Sequence, residues 1–171
     1  MDTSEESHQN PVLVDDDTNM LLSTHPNHSA TIVQTHAKVN NQMIQVVLDT
    51  GSNTTLVTKK TADKLGFQLS ASNTGTIGGI NGVKTSYLGH IHNFPITFGA
   101  NTIPIEVLVI NHGNYDVLLG TDWMRKAGAA IDLITKELRL IWNGIITYYP
   151  IVVIRADKLE VLAKFQKEEN N

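Results

Sequence analysis

The chain has 171 residues, a formal charge of -4 and no cysteine. That length allows one domain with a sizeable core plus tails. The missing cysteine excludes a disulfide framework and thiolate chemistry, and the mild acidity speaks against a dedicated nucleic-acid binder, which would carry a basic face.

Residues 1–29 hold six acids (Asp2, Glu5, Glu6, Asp15, Asp16, Asp17) and no Lys or Arg. They show no sustained periodicity, the pattern of a disordered acidic arm. The opening lacks the basic and apolar regions of a signal peptide. The longest apolar run, "LIWNGIITYYPIVVI", is interrupted by Asn143, Gly144 and Pro150 and is too short to span a bilayer. A soluble cytoplasmic protein without a membrane partner is the expectation.

From Thr31 the texture changes to short β-prone runs divided by Asn and Gly. "TIVQTHAKV" and "QMIQVVLD" flank Asn40-Asn41 as a hairpin. A short strand follows around Thr55–Val57, and Thr58 is placed to cap a brief helix, "KKTADKL", ended by Gly66. "GTIGGINGVKTSYLGH" has the pattern of a glycine-rich hairpin with a type I′ turn at Asn81-Gly82. "IHNFPITF" and "TIPIEVLVI" are two further strands, joined at residues 99–101. "YDVLLG" is a buried strand, and Thr121 or Asp122 caps a second helix, "DWMRKA", closed by Gly128. "AAIDL" and "ELRLIW" form one more hairpin around Thr135-Lys136. The tail, 156–171, carries Asp157 and Glu160 in capping-box spacing, with Leu159, Leu162 and Phe165 on one face of an amphipathic helix. Many short strands and two small helices give a mostly-β fold with a closed or sandwiched sheet.

Several chemical motifs fail on spacing. "GGINGVKT" has Lys84 two positions after Gly82, where a phosphate loop needs it adjacent, and no helix follows. His90 and His92 share a strand face, but no acidic or Cys partner is spaced to complete a metal shell, so a solvent-facing strand edge is expected and no metal or cofactor. Ser52 has no cue tying it to a histidine base.

In "VVLDTGSNTTLV" a lone acid, Asp49, ends an apolar strand. Asp and Gly are ordinary turn residues, so the motif alone decides nothing. Three features converge, however: Asp-Thr-Gly-Ser after an apolar strand, the glycine-rich hairpin downstream, and a second apolar strand ending in Gly before a helix. This pattern resembles the retropepsin-like aspartic proteases of retroviruses and retrotransposons, over roughly residues 35–142. "LLGTDWMRKAGAAIDL" looks more like a gypsy-type retrotransposon protease than a retroviral one, and the ubiquitin-receptor proteases of the DNA-damage-inducible type share part of the pattern. The resemblance implies a single-lobed closed β barrel over 30–155. It implies Asp49 as the catalytic acid, with Thr50 bracing the loop and Gly51 letting the backbone turn. Ile77, Gly78, Gly79 and Ile80 would belong to the flap over the substrate, and Ser52, Asn53 and Leu119 would line its floor. One departure stands out. Many retroviral enzymes pair an Arg after the second Gly with an acid near the first; here those positions are Thr121 and Asn53, so both charges are absent together.

Peptide hydrolysis without a metal needs a base for water and an acid for the leaving side. Asp49 is the sole acid in an Asp-Thr/Ser-Gly setting, so the resemblance implies a homodimer acting on an extended peptide or polyprotein. A catalytically silent dimerisation or peptide-binding domain is the alternative. A ubiquitin-linked processing protease is a third reading, though no ubiquitin-like domain fits in the acidic arm. For Ser52 two roles stay open: a hydrogen bond to the Asp49 carboxylate, or a small residue suited to a tight turn.

Overall fold

The structure, a computed structural model, describes residues 31–70, 74–78 and 82–155. The acidic arm, the C-terminal tail and the flap residues Gly79 and Ile80 lie outside the described residues.

The first hairpin joins β1 (Thr31–Val39) to β2 (Gln42–Leu48). Asn40 and Asn41 both take positive φ, 49° and 63°, and Val39 faces Gln42, which is the type I′ turn. Along β2, Ile44, Val46 and Leu48 point into the core while Gln45 and Val47 are half-buried. β3 (Leu56–Thr58) leads straight into α1 (Lys59–Lys64). Thr58 caps that helix by accepting the Thr61 N–H at 3.3 Å, and Gly66 leaves it at φ 78°.

β4 (Gly75–Gly78), β5 (Lys84–Phe98) and β6 (Asn101–Ile110) follow, then β7 (Val117–Leu119) and α2 (Thr121–Lys126). β8 (Ala130–Asp132), β9 (Glu137–Trp142), β10 (Ile145–Pro150) and β11 (Val152–Arg155) complete the described chain. Eight strands form one sheet in the order β11-β1-β2-β7-β3-β6-β5-β4, and an added pair, Lys38 with Thr97, returns β5 to β1. The circuit is thereby closed, as expected of a barrel. β10, β9 and β8 make a separate three-stranded sheet. It docks through Leu138, Leu140 and Tyr149, whose hydroxyl donates to the Phe98 carbonyl at 2.8 Å while its ring packs on Phe98. Its opposite face leaves Ile141, Ile146 and Tyr148 exposed. No helix among the described residues is long and apolar enough to cross a membrane.

Three local expectations are corrected. β5 is one 15-residue strand rather than two, because Gly89 and Asn93 sit at bulges instead of breaks. The β4–β5 register pairs Gly78 with Lys84, and the turn expected at Asn81-Gly82 includes Asn81, which lies outside the described residues. Asn143-Gly144, seen in the sequence only as an interruption, is a type I′ turn between β9 and β10, with φ 50° and 76°. At α2 the N-cap is Gly120, and neither Thr121 nor Asp122 caps it.

The arrangement that positions the site is the central crossing. β7 lies between β2, to which it is parallel, and β3, to which it is antiparallel. Residues 49–55 must therefore leave β2, pass over the end of β7 and return on its other side.

Candidate active site

The crossing loop is held from below at defined points. Asp49 N donates to the Leu119 carbonyl at 3.0 Å, and Thr121 N donates to the Ser52 carbonyl at 2.8 Å. Within the loop, Ser52 N donates to the Asp49 carbonyl at 3.2 Å and Gly51 N to the Asp49 carboxylate Oδ1 at 2.8 Å. That second bond aims the carboxylate, which is half-buried at the loop's outer side.

A half-buried acid stands beneath the loop, where the sequence lacks the retroviral ion pair. Asp122, on the first turn of α2, accepts the Thr55 N–H at 3.0 Å and the Thr55 hydroxyl at 2.7 Å. Thr55 in turn accepts Gly120 N at 3.2 Å and gives its own carbonyl to Leu108 N at 3.1 Å. Thr55, through its hydroxyl, N–H and carbonyl, thus ties α2, β6 and the loop together. Charge-assisted bonds of this kind are worth about 1.5–3 kcal/mol each when partly buried. Gly120 completes the brace, because a Cβ there would lie 2.6 Å from the Thr54 carbonyl oxygen.

The expected site residues are only partly brought together. Thr50 and Gly51 are exposed beside Asp49, and Asn53 is exposed with its Oδ1 accepting the Thr54 hydroxyl. Ile77 is half-buried and Gly78 exposed at the end of β4. Two expectations change. The Ser52 hydroxyl donates to the Thr54 carbonyl at 2.7 Å rather than to Asp49, so Ser52 is a turn-former. Leu119 is fully buried in the core, and strand alternation turns the half-buried Leu118 the other way. Leu119 therefore serves the site through its carbonyl and is not substrate floor.

The histidines also differ from expectation. His90 is buried rather than solvent-facing, and an acidic partner does exist: Glu106 on β6 meets His92 Nδ1 at 2.5 Å. No set of three ligating side chains among the described residues could hold a metal.

Sequence reasoning missed Tyr115. Its phenol is pushed up to about 12, first by burial and then by the negative charge of Asp49. The tyrosine therefore lies within the field of the site. In a spectrophotometric titration one phenol should ionise near pH 12, Tyr115→Phe should remove that step, and Asp49→Asn should lower it in part. An unmoved step in Asp49→Asn would separate Tyr115 from the site.

Residues 35–126 match the family model of gag-polyprotein aspartyl proteases, more than half of the chain. The chain belongs to this family. The match contains the Asp49 loop, the β4–β5 hairpin, β7 and α2, while the three-stranded sheet lies outside it. Among curated relatives, DNA damage-inducible protein 1 of Cryptococcus neoformans is 28% identical over 66% of this chain and 26% of its own length. Protein DNA-DAMAGE INDUCIBLE 1 of Arabidopsis thaliana is 29% identical over 70% of this chain and 30% of its own. The chain thus spans less than a third of those two relatives. The retroviral protease-like domain of Ddi1 from Leishmania major superposes with a TM-score of 0.58 at 22% identity, covering 71% of this chain and 96% of that one. That likeness establishes the retropepsin-like fold.

Proposed function

We propose that two copies of this chain form an aspartic endopeptidase that cuts extended segments of a retrotransposon-type polyprotein, with water activated between two Asp49 carboxylates. The carrying observation is which acids are free. Asp116 accepts Gln45 N and the Thr61 hydroxyl, and Asp122 accepts three donors around Thr55 and Trp123. Asp63 pairs with Lys59 and Glu106 with His92. Asp132 accepts the Ile134 and Thr135 N–H groups of its own turn, away from the crossing; among the described residues Asp49 alone combines a carboxylate aimed by a neighbouring N–H with a position at the crossing, so this reading takes the second carboxylate from another copy.

Two carboxylates held about 3 Å apart share one proton, since both cannot ionise cheaply; this is the general behaviour of aspartic-protease dyads. The ionised one takes a proton from water and the protonated one supplies a proton to the scissile amide. Gly51 lets substrate backbone approach closely, and the β4–β5 hairpin closes over a peptide bound as an extended strand.

Activity should then depend on concentration, because a monomer holds half a dyad. On serial dilution, activity per mole of chain should fall in step with dimer dissociation measured by sedimentation. Constant specific activity in a monomeric sample would overturn the proposal.

A further inference from the structure

The consecutive residues Leu119, Gly120, Thr121 and Asp122 hold the crossing loop at every third position, Asp49, Ser52 and Thr55. The Leu119 carbonyl accepts Asp49 N at 3.0 Å, Thr121 N donates to the Ser52 carbonyl at 2.8 Å, and Gly120 N donates to the Thr55 hydroxyl at 3.2 Å. On the α2 side these three contacts use backbone atoms. The fourth does not: Asp122 holds Thr55 through its carboxylate. The far end of the loop therefore depends on a side chain that a substitution can change.

The chemistry of that contact calls for a carboxylate. Oδ1 of Asp122 accepts the Thr55 hydroxyl and the Trp123 N–H, both at 2.7 Å, and Oδ2 accepts the Thr55 N–H at 3.0 Å. All three partners are donors, because the Thr55 oxygen already accepts Gly120 N and its own proton goes to Asp122. Both carboxylate oxygens are needed as acceptors, and a carboxamide has only one. In Asp122→Asn the new NH₂ would face a donor in either orientation. Thr55 is fully buried, so its donors cannot turn to water instead. The end of the loop must shift or leave a buried donor unpaired.

Such a shift travels to the acid. The Ser52 hydroxyl donates to the Thr54 carbonyl at 2.7 Å, Ser52 N donates to the Asp49 carbonyl at 3.2 Å, and Gly51 N donates to the Asp49 carboxylate at 2.8 Å. Residues 49–54 are closed on themselves and move as one piece. We infer that Asp122 is a positioning residue for the Asp49 carboxylate, acting through Thr55 and the Ser52 turn. Its effect on rate rests on the peptidase reading, whereas the positioning is measurable without substrate.

Hydrogen exchange on the full-length protein makes that measurement. The variants are Asp122→Asn and Thr55→Val, the second keeping the threonine shape without its hydroxyl. In both, the Asp49 and Ser52 amides should exchange at least about tenfold faster while the β5–β6 ladder stays as in wild type. Thr55→Ser, which keeps the hydroxyl, should restore the protection that Thr55→Val loses. Cleavage is then assayed below each melting midpoint, at a concentration where sedimentation shows dimers. A reacting group misplaced by about 1 Å can cost on the order of 100-fold, so kcat should fall about 10- to 100-fold in the first two variants, with KM within about twofold. Thr55→Ser should recover most of that loss. Unchanged protection at Asp49, or exchange that rises equally in the β5–β6 ladder, overturns the inference. So does a kcat within about twofold of wild type in both disrupting variants. If protection falls as expected and wild type cuts no peptide, the positioning stands and the peptidase reading fails.

Discussion

Replacing Asp49 with Asn should abolish peptide cleavage and leave a folded protein. The Asn carboxamide keeps an Oδ1 to accept the Gly51 N–H, now at 2.8 Å, so the loop retains its internal bond. The anchors from Asp49 N to Leu119 and from Thr121 N to Ser52 are backbone bonds that no side-chain change removes. What disappears is the group that can take a proton from water, and general acid–base catalysis of this kind is worth about 10²–10⁴-fold. The expected result is a kcat lowered by at least about 10³-fold with an unchanged melting temperature. Turnover within tenfold of wild type would show that Asp49 is not the base.

Gly120→Ala should cost far more stability than its size suggests. Gly120 has ordinary φ, -90°, so backbone strain plays no part. The new Cβ would lie 2.6 Å from the Thr54 oxygen, 2.7 Å from the Thr54 carbonyl carbon and 2.8 Å from the Ser52 oxygen. All three are backbone atoms of the crossing loop, which cannot turn aside as a flexible side chain would. Overpacking costs roughly 1–3 kcal/mol, and against such a wall the upper end is expected, read as a lower urea midpoint. Activity should fall with it, because relief of the clash moves the loop that carries Asp49. Gly78→Ala is the matched control: nothing lies within 4 Å of its Cβ, and stability should hold. A Gly120→Ala protein as stable as wild type would contradict the close approach of loop and helix.

Features set by neighbouring residues were legible in the sequence. The Asn40-Asn41 turn, the Thr58 cap and the Gly66 exit are local chemistry, and each stands where its residues place it. The Asp49 loop was legible because its strand, acid and glycine are contiguous. What escaped depends on partners far along the chain. Asp122 resembled a helix cap because a sequence does not show Thr55, 67 residues away, as its partner. Leu119 was assigned to the floor because the apolar run gives no phase until pairing with β2 fixes which side chains face inward. Gly89 and Asn93 resembled strand ends, since a bulge and a break use the same residues. Tyr115 carried no local signal at all; only the fold brings its phenol into the field of Asp49.

The central claim is that one site is built from Asp49 of two chains, and subunit mixing tests it most directly. Wild type and Asp49→Asn protein are combined in varied ratio at fixed total concentration, allowed to exchange, and assayed on one peptide. If each site needs both carboxylates, only wild-type pairs are active and the rate follows the square of the wild-type fraction, about a quarter at equal amounts. A rate that falls linearly, to about half at equal amounts, would mean that one chain carries a complete site and would contradict the account.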